Sequence, residues 1–143
     1  MPNIHPVLTH FPIVLLTLSL LFDGLGALLR RADLERIGSW AQLLGIAALA
    51  VTIGTGLAAR NGQTIGAEAV DVIQMHQEIA FAVVAIASLL LLWRIAGRLR
   101  LPDKHRSIYL LLSLAMVTLL WVGAWYGGKL VYEFGIGVQH IVR

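Results

Sequence analysis

Four stretches of the chain, residues 10–29, 39–59, 76–93 and 108–126, are nearly unbroken runs of Leu, Ile, Val, Ala and Phe separated by polar clusters. About 20 helical residues cross a hydrocarbon layer about 30 Å thick, so each run predicts one transmembrane helix. Within these limits only Asp23 and Glu78 carry a formal charge. The expected fold is an all-α membrane protein: one up-and-down bundle of four transmembrane helices filling residues 1–143. Composition agrees, because a chain that is 58% hydrophobic and 13% charged lacks the polar surface a soluble globule of this length needs. After the fourth run, Leu130, Val131, Phe134 and Val138 recur at near-helical spacing while Gly135 and Gly137 interrupt it. Residues 128–143 are therefore expected as a short interfacial tail folded back over the mouth of the bundle.

The basic residues predict the orientation. Arg30, Arg31 and Arg36 fall between the first two runs, and Arg94, Arg98, Arg100, Lys104 and Arg106 between the last two, so eight of the eleven Lys and Arg share one side. That side is expected to be cytoplasmic, with both termini periplasmic. The net charge of +3 then reads as a topology signal, and no basic stripe interleaved with aromatics points to nucleic acid. No Lys or Arg precedes the first run and no small-residue cleavage site follows it, so it is expected to stay as the first helix.

The absence of cysteine excludes disulfides, thiolate metal sites, iron–sulfur clusters and covalent haem attachment, leaving histidine, carboxylate or backbone to hold any cofactor. Sliding the sequence on itself by 66 residues superimposes His10 on His76, Thr52 on Thr118 and Gly62 on Gly128, which suggests two repeated helical hairpins with His10 and His76 as mates. In a four-helix bundle the first and third helices are parallel and diagonal, about 12 to 14 Å apart. That gap suits two imidazoles on opposite faces of one haem iron, whereas zinc or copper held directly prefers a third ligand close by. Thr52, Gly54, Thr55, Gly56, Gly123, Gly127 and Gly128 lie at the same depth, where absent side chains let a flat macrocycle approach the backbone. Arg60 and Lys129 on that side are candidates to pair with propionates. His5 and His140 are expected at the same outer surface, as a second haem or metal site, a lid on the first, or bystanders.

Each of these features has a plainer explanation. Glycines in membrane helices commonly serve helix contact, and a boundary histidine often only bonds the backbone. His105 lies in the basic loop and reads as solvated. Asp23 lies about two turns from Arg30 and Arg31, where a polar neighbour or water near the cytoplasmic end would satisfy it. Trp40, Trp93, Trp121, Trp125, Tyr109, Tyr126 and Tyr132 fall near span ends, where interfacial anchors sit.

The opening Ile4-His5-Pro6-Val7-Leu8-Thr9-His10-Phe11-Pro12 and the closing Gly127-Gly128-Lys129-Leu130-Val131-Tyr132-Glu133-Phe134-Gly135-Ile136-Gly137-Val138 resemble the two signatures of a bacterial family of four-helix predicted membrane proteins, domain of unknown function 2231. The resemblance covers essentially the whole chain. It implies a bacterial inner-membrane protein with His5 and His10 among its signature positions, and it implies no particular activity. From the residues, the leading expectation is a membrane b-type haem electron-transfer protein, carrying one haem b or two and exchanging electrons between quinone in the bilayer and a periplasmic redox protein. The alternatives are a copper- or zinc-handling protein using His5, His10, His76 and His140 with Glu78 or Asp71, and a cofactor-free accessory subunit of a larger membrane complex or homo-oligomer. No hydrolase, transferase or phosphate-loop motif is present.

The arginine asymmetry predicts that residue 66 is accessible from outside the cell and residue 104 is not. Single cysteines at Gly66 and Lys104 labelled with an impermeant maleimide check this; labelling at 104 with protection at 66 inverts the topology.

Overall fold

The computed structural model describes residues 4–61 and 66–136, and all regular structure among them is helical. A single turn, α1 (His5–Leu8), is followed after Thr9 by α2 (His10–Leu29); α3 (Ala32–Asn61), α4 (Val70–Ala96) and α5 (Arg106–Tyr132) complete the set. The α1–α2 segment, α3, α4 with the 3₁₀ turn Ala67–Ala69 before it, and α5 are each long and apolar enough to cross a membrane. Each of α2 to α5 packs against its two neighbours, closing a ring in which α2 and α4 are diagonal and parallel. The up-and-down bundle expected from the hydrophobic runs is the fold observed.

The helices outrun the apolar stretches that predict them. α4 begins at Val70 rather than at His76, because the stretch before His76, with the polar Asp71 and Gln74 in it, continues the helix beyond the apolar run. A hydropathy window detects the slab of lipid, while the backbone stays helical as long as its hydrogen bonds are made. His76 is therefore nearly two turns inside α4, whereas His10 opens α2.

Turns and ends follow local chemistry. Arg30 ends α2 in the left-handed region (φ 55°), its N–H returning to the Gly26 carbonyl. Asp33 and Glu35 in the first turn of α3 complement that helix's positive end. At the far end, Gly135 (φ 64°) makes the turn for which glycine is suited. The Gly135 N–H donates to the Val131 carbonyl at 3.2 Å and the Ile136 N–H to the Leu130 carbonyl at 2.8 Å. The first is the bond of an αL stop and the second reaches a further residue back, and together they fold Phe134 and Ile136 back onto Leu130, Ala69 and Ile73. The turn comes only after Tyr132, so residues 128–132, expected as part of the tail, instead continue α5; Gly137, Val138 and His140 lie outside the described residues.

Along the bundle axis the interior has three layers. The middle is dry, built of Leu16, Leu49, Val83, Ala87, Met116 and Leu120 with their neighbours. Large apolar side chains such as Leu28, Leu89 and Leu111 are left on the outside, the arrangement expected where lipid is the solvent. Toward the basic end lies a buried polar network. Arg94 and Asp23, both 0% exposed, form a two-pronged ion pair at 2.7 and 2.6 Å. Arg94 also donates to the Glu35 carbonyl at 2.9 Å, and the Tyr109 hydroxyl donates to Gln42 Oε1 at 2.9 Å. Arg106 pairs with the nearly buried Glu35 carboxylate at 3.2 Å.

Two expectations change here. Arg94 is not a loop residue marking the cytoplasmic side but the internal partner of Asp23, and Tyr109 is a fully buried member of the same network rather than an interfacial anchor. Gly38 lets α3 approach closely: a Cβ there would overlap Asp23 Oδ1, which the ion pair holds in place.

Removing one member of such a pair leaves an uncompensated charge, a loss of about 3 to 5 kcal/mol. Asp23→Ala is expected to lower stability by about that amount and Gly38→Ala by about 1 to 3 kcal/mol. Asp23→Leu combined with Arg94→Met is expected to recover much of the loss. Reversible unfolding in mixed micelles measures all three.

Candidate functional site

The layer opposite the ion network is a cavity of about 390 Å³. Its walls are mainly apolar, including Ile13, Leu49, Ile53, Val83 and Leu120, and Val131, Tyr132 and Ile136 of the folded-back end contribute to its lining. Three histidines line it: His5, His10 and His76.

The histidine set against His76 is His5. Their ring centres are 6.3 Å apart and the rings are nearly perpendicular, at 81°. Each is anchored in the same way. His5 Nδ1 donates to the Thr52 carbonyl at 2.9 Å and His76 Nδ1 to the Gly123 carbonyl at 2.9 Å, and in both cases the acceptor lies 47 residues after the histidine. Because a backbone carbonyl can only accept, both bonds require a proton on Nδ1 and leave Nε2 of each ring outside that bond. Glycine makes room for each ring. A Cβ on Gly56 would lie 2.8 Å from His5 Cε1, and one on Gly127 would lie 3.1 Å from His76 Cε1.

These correspondences reveal the internal repeat and correct its register. Asp23 and Arg94, the pair at the opposite end, stand 71 residues apart in the chain. The same shift superimposes His5 on His76, Thr52 on Gly123, Gly56 on Gly127 and Gly26 on Gly97. The 66-residue shift that equates His10 with His76 is therefore not the structural one; most of its identities are Leu, Val and Ala, which recur cheaply in membrane helices. His10 has an exposed ring and bonds the Val7 carbonyl in its own turn at 3.2 Å. The glycines also take a different role: Gly56 and Gly127 accommodate the imidazoles, and Gly123 accommodates Ile79.

The other expected site residues divide. Arg60 lines the cavity and spans from α3 to α4 by donating to Gln77 Oε1 at 2.5 Å. Lys129 is turned elsewhere, 3.5 Å from the Glu133 carboxylate and 5.0 Å from the centre of the Trp125 ring. His140 lies outside the described residues. His105 is exposed in the basic loop, its ring 6.2 Å from that of Trp93. Among the described residues no three His, Asp or Glu side chains converge as a direct metal site would require.

The family of predicted membrane proteins designated DUF2231 matches residues 1–140. The chain belongs to this family. No curated protein and no solved structure matches it.

The hydrogen bonds predict that His5 and His76 each hold their proton on Nδ1 against a carbonyl of another helix, whereas the exposed His10 bonds only a carbonyl of its own turn and is held less firmly. Nitrogen-15 spectra of the histidine rings in micelles check this. Gly56→Ala is expected to abolish the Nδ1–H signal of His5 and to leave that of His76; loss of neither signal removes Gly56 from the site.

Proposed function

We propose that the outer cavity holds a non-covalent b-type haem with His5 and His76 as its axial ligands, and that the protein passes electrons between quinol in the bilayer and a redox protein on the periplasmic side. The observation that carries this reading is the opposed pair of imidazoles. Two rings bound to opposite sides of one metal ion through bonds of about 2 Å have centres about 6 Å apart, close to the 6.3 Å separation of His5 and His76. A direct metal site held by the described residues alone would lack a third ligand, whereas a haem iron takes its other four donors from the macrocycle.

The chain's own residues act on orientation and access. The Thr52 and Gly123 carbonyls fix both tautomers and turn both rings, the usual arrangement behind a metal-bound histidine. Because His5 stands on α1 at the head of α2 and His76 on α4, the helix diagonal to α2, a plane between them lies within the bundle rather than against one wall. Arg60 at the lining offers a guanidinium for a carboxylate of the cofactor. The folded-back end after α5 closes part of the mouth. Haem, when bound, supplies the one-electron chemistry; the protein sets its potential and shields it. The dry middle layer separates this cavity from the buried ion network, so exchange is assigned to one membrane face. Arginine bias makes that face periplasmic, in a bacterial inner membrane.

Purified protein expressed with ample haem is expected to be red, with a low-spin bis-histidine spectrum. His5→Ala or His76→Ala should give a high-spin spectrum or colourless protein, and His10→Ala should leave it unchanged. Loss on His10→Ala with retention on His5→Ala returns ligation to the pair His10 and His76. Colourless wild-type protein eliminates the haem reading.

A further inference from the structure

The two imidazoles are held alike but not equally, and the difference lies in one hydroxyl. The Thr52 carbonyl that accepts from His5 Nδ1 at 2.9 Å also accepts from the Thr55 hydroxyl at 2.9 Å. On the opposite side the Gly123 carbonyl accepts from His76 Nδ1 at 2.9 Å. Three residues on from Gly123 stands Tyr126 in place of a short hydroxyl, and among the described residues no side-chain hydroxyl is bonded to that oxygen.

Each carbonyl also accepts the N–H four residues on in its own helix, so the Thr52 oxygen serves three donors where the Gly123 oxygen serves two, and has less electron density to offer each. The strength of the bond on Nδ1 sets how much imidazolate character a metal-bound histidine has at Nε2, and hence how strongly it donates to the metal. Competition by Thr55 therefore makes His5 the weaker donor. An opposing contact exists, because Thr55 Oγ1 itself lies 3.4 Å from His5 Nδ1 and can receive part of its proton. At that length it is weak beside the two bonds of 2.9 Å, so withdrawal from the shared carbonyl prevails. The Thr52 hydroxyl acts elsewhere, bonding the Ala48 carbonyl at 2.8 Å and the Leu8 carbonyl at 3.3 Å and so fastening the start of the chain to α3.

Resting on the haem reading, we propose that Thr55 is a positioning residue that weakens His5 as a ligand and thereby raises the reduction potential of the iron. A poorer imidazole donor stabilises the oxidised metal less, so electrons are held more firmly than two equivalent histidines would hold them.

Thr55→Val removes the hydroxyl at nearly constant shape, and Thr55→Ser keeps it. Redox titration of full-length, haem-loaded protein is expected to show a lower midpoint potential for Thr55→Val and the wild-type value for Thr55→Ser, with the low-spin spectrum kept in both. In haem-free protein, the His5 Nδ1 proton is expected to move downfield in Thr55→Val as its bond strengthens, while that of His76 stays in place. Should valine prevent insertion, Thr55→Ala removes the same hydroxyl. An unchanged or raised potential in the hydroxyl-free variant overturns the proposal, as does an unmoved His5 resonance. Wild-type protein that takes up no haem overturns the haem reading and the effect on potential with it, and the haem-free resonance then decides the hydrogen-bond competition separately.

Discussion

Lipid cannot hydrogen-bond, and that constraint organises this molecule from end to end. Inside the bilayer each backbone amide must find its partner within its own helix, which leaves a bundle of long helices as the available architecture. The same rule governs side chains. Asp23 and Arg94 would be prohibitively costly alone, so each takes the other, and Glu35, Gln42 and Tyr109 take up further donors and acceptors around them. At the opposite end the two imidazoles take helix carbonyls. Serine and threonine do likewise: Ser19 donates to the Gly38 carbonyl and Ser39 to the Leu99 carbonyl, each across a helix contact.

These polar pairings also decide how the halves fit. In the ion network the carboxylates come from α2 and α3 and the guanidinium groups from α4 and α5. One hairpin is therefore the acid and the other the base, and the first pairs with the second better than either pairs with a copy of itself. In the outer cavity the halves contribute matching groups instead, one histidine and one anchoring carbonyl each. A repeat that is chemically alike at one end and complementary at the other forms a shared site from equivalent residues while the opposite end enforces the pairing. The apolar layer of Leu16, Leu49, Val83, Met116 and Leu120 between them keeps the two polar ends separate.

Close approach makes both ends possible. Gly38 admits Asp23, Gly45 admits Leu16 and Gly56 admits His5, all along one side of α3. Without a water-driven hydrophobic effect between helices, contact and hydrogen bonding hold a membrane bundle together, and small residues shorten both. The glycines here let side chains of neighbouring helices enter, and two of the entering groups are the Asp23 carboxylate and the His5 imidazole.

The sequence by itself determined the number of helices, their alternation and the gathering of basic residues at one end, because each depends on local composition averaged over many residues. It also placed His5, His10, His76, Arg60 and Lys129 at the end away from most of the basic residues, by their depth alone. Pairing was beyond its reach: His10 and His5 differ by little more than a turn, and hydropathy cannot say which of two boundary histidines faces the bundle axis. Arg94 read as a loop cation because it adjoins one, although a helix that outruns the hydrocarbon carries it inward to Asp23. A shift of 71 residues, rather than 66, was the signal in the chain, yet its identities are few and acquire weight only when the equivalent positions are seen to make equivalent bonds. Tertiary structure decided these points because each depends on the direction of one side chain relative to a neighbouring helix, a quantity that periodicity along a single helix does not contain.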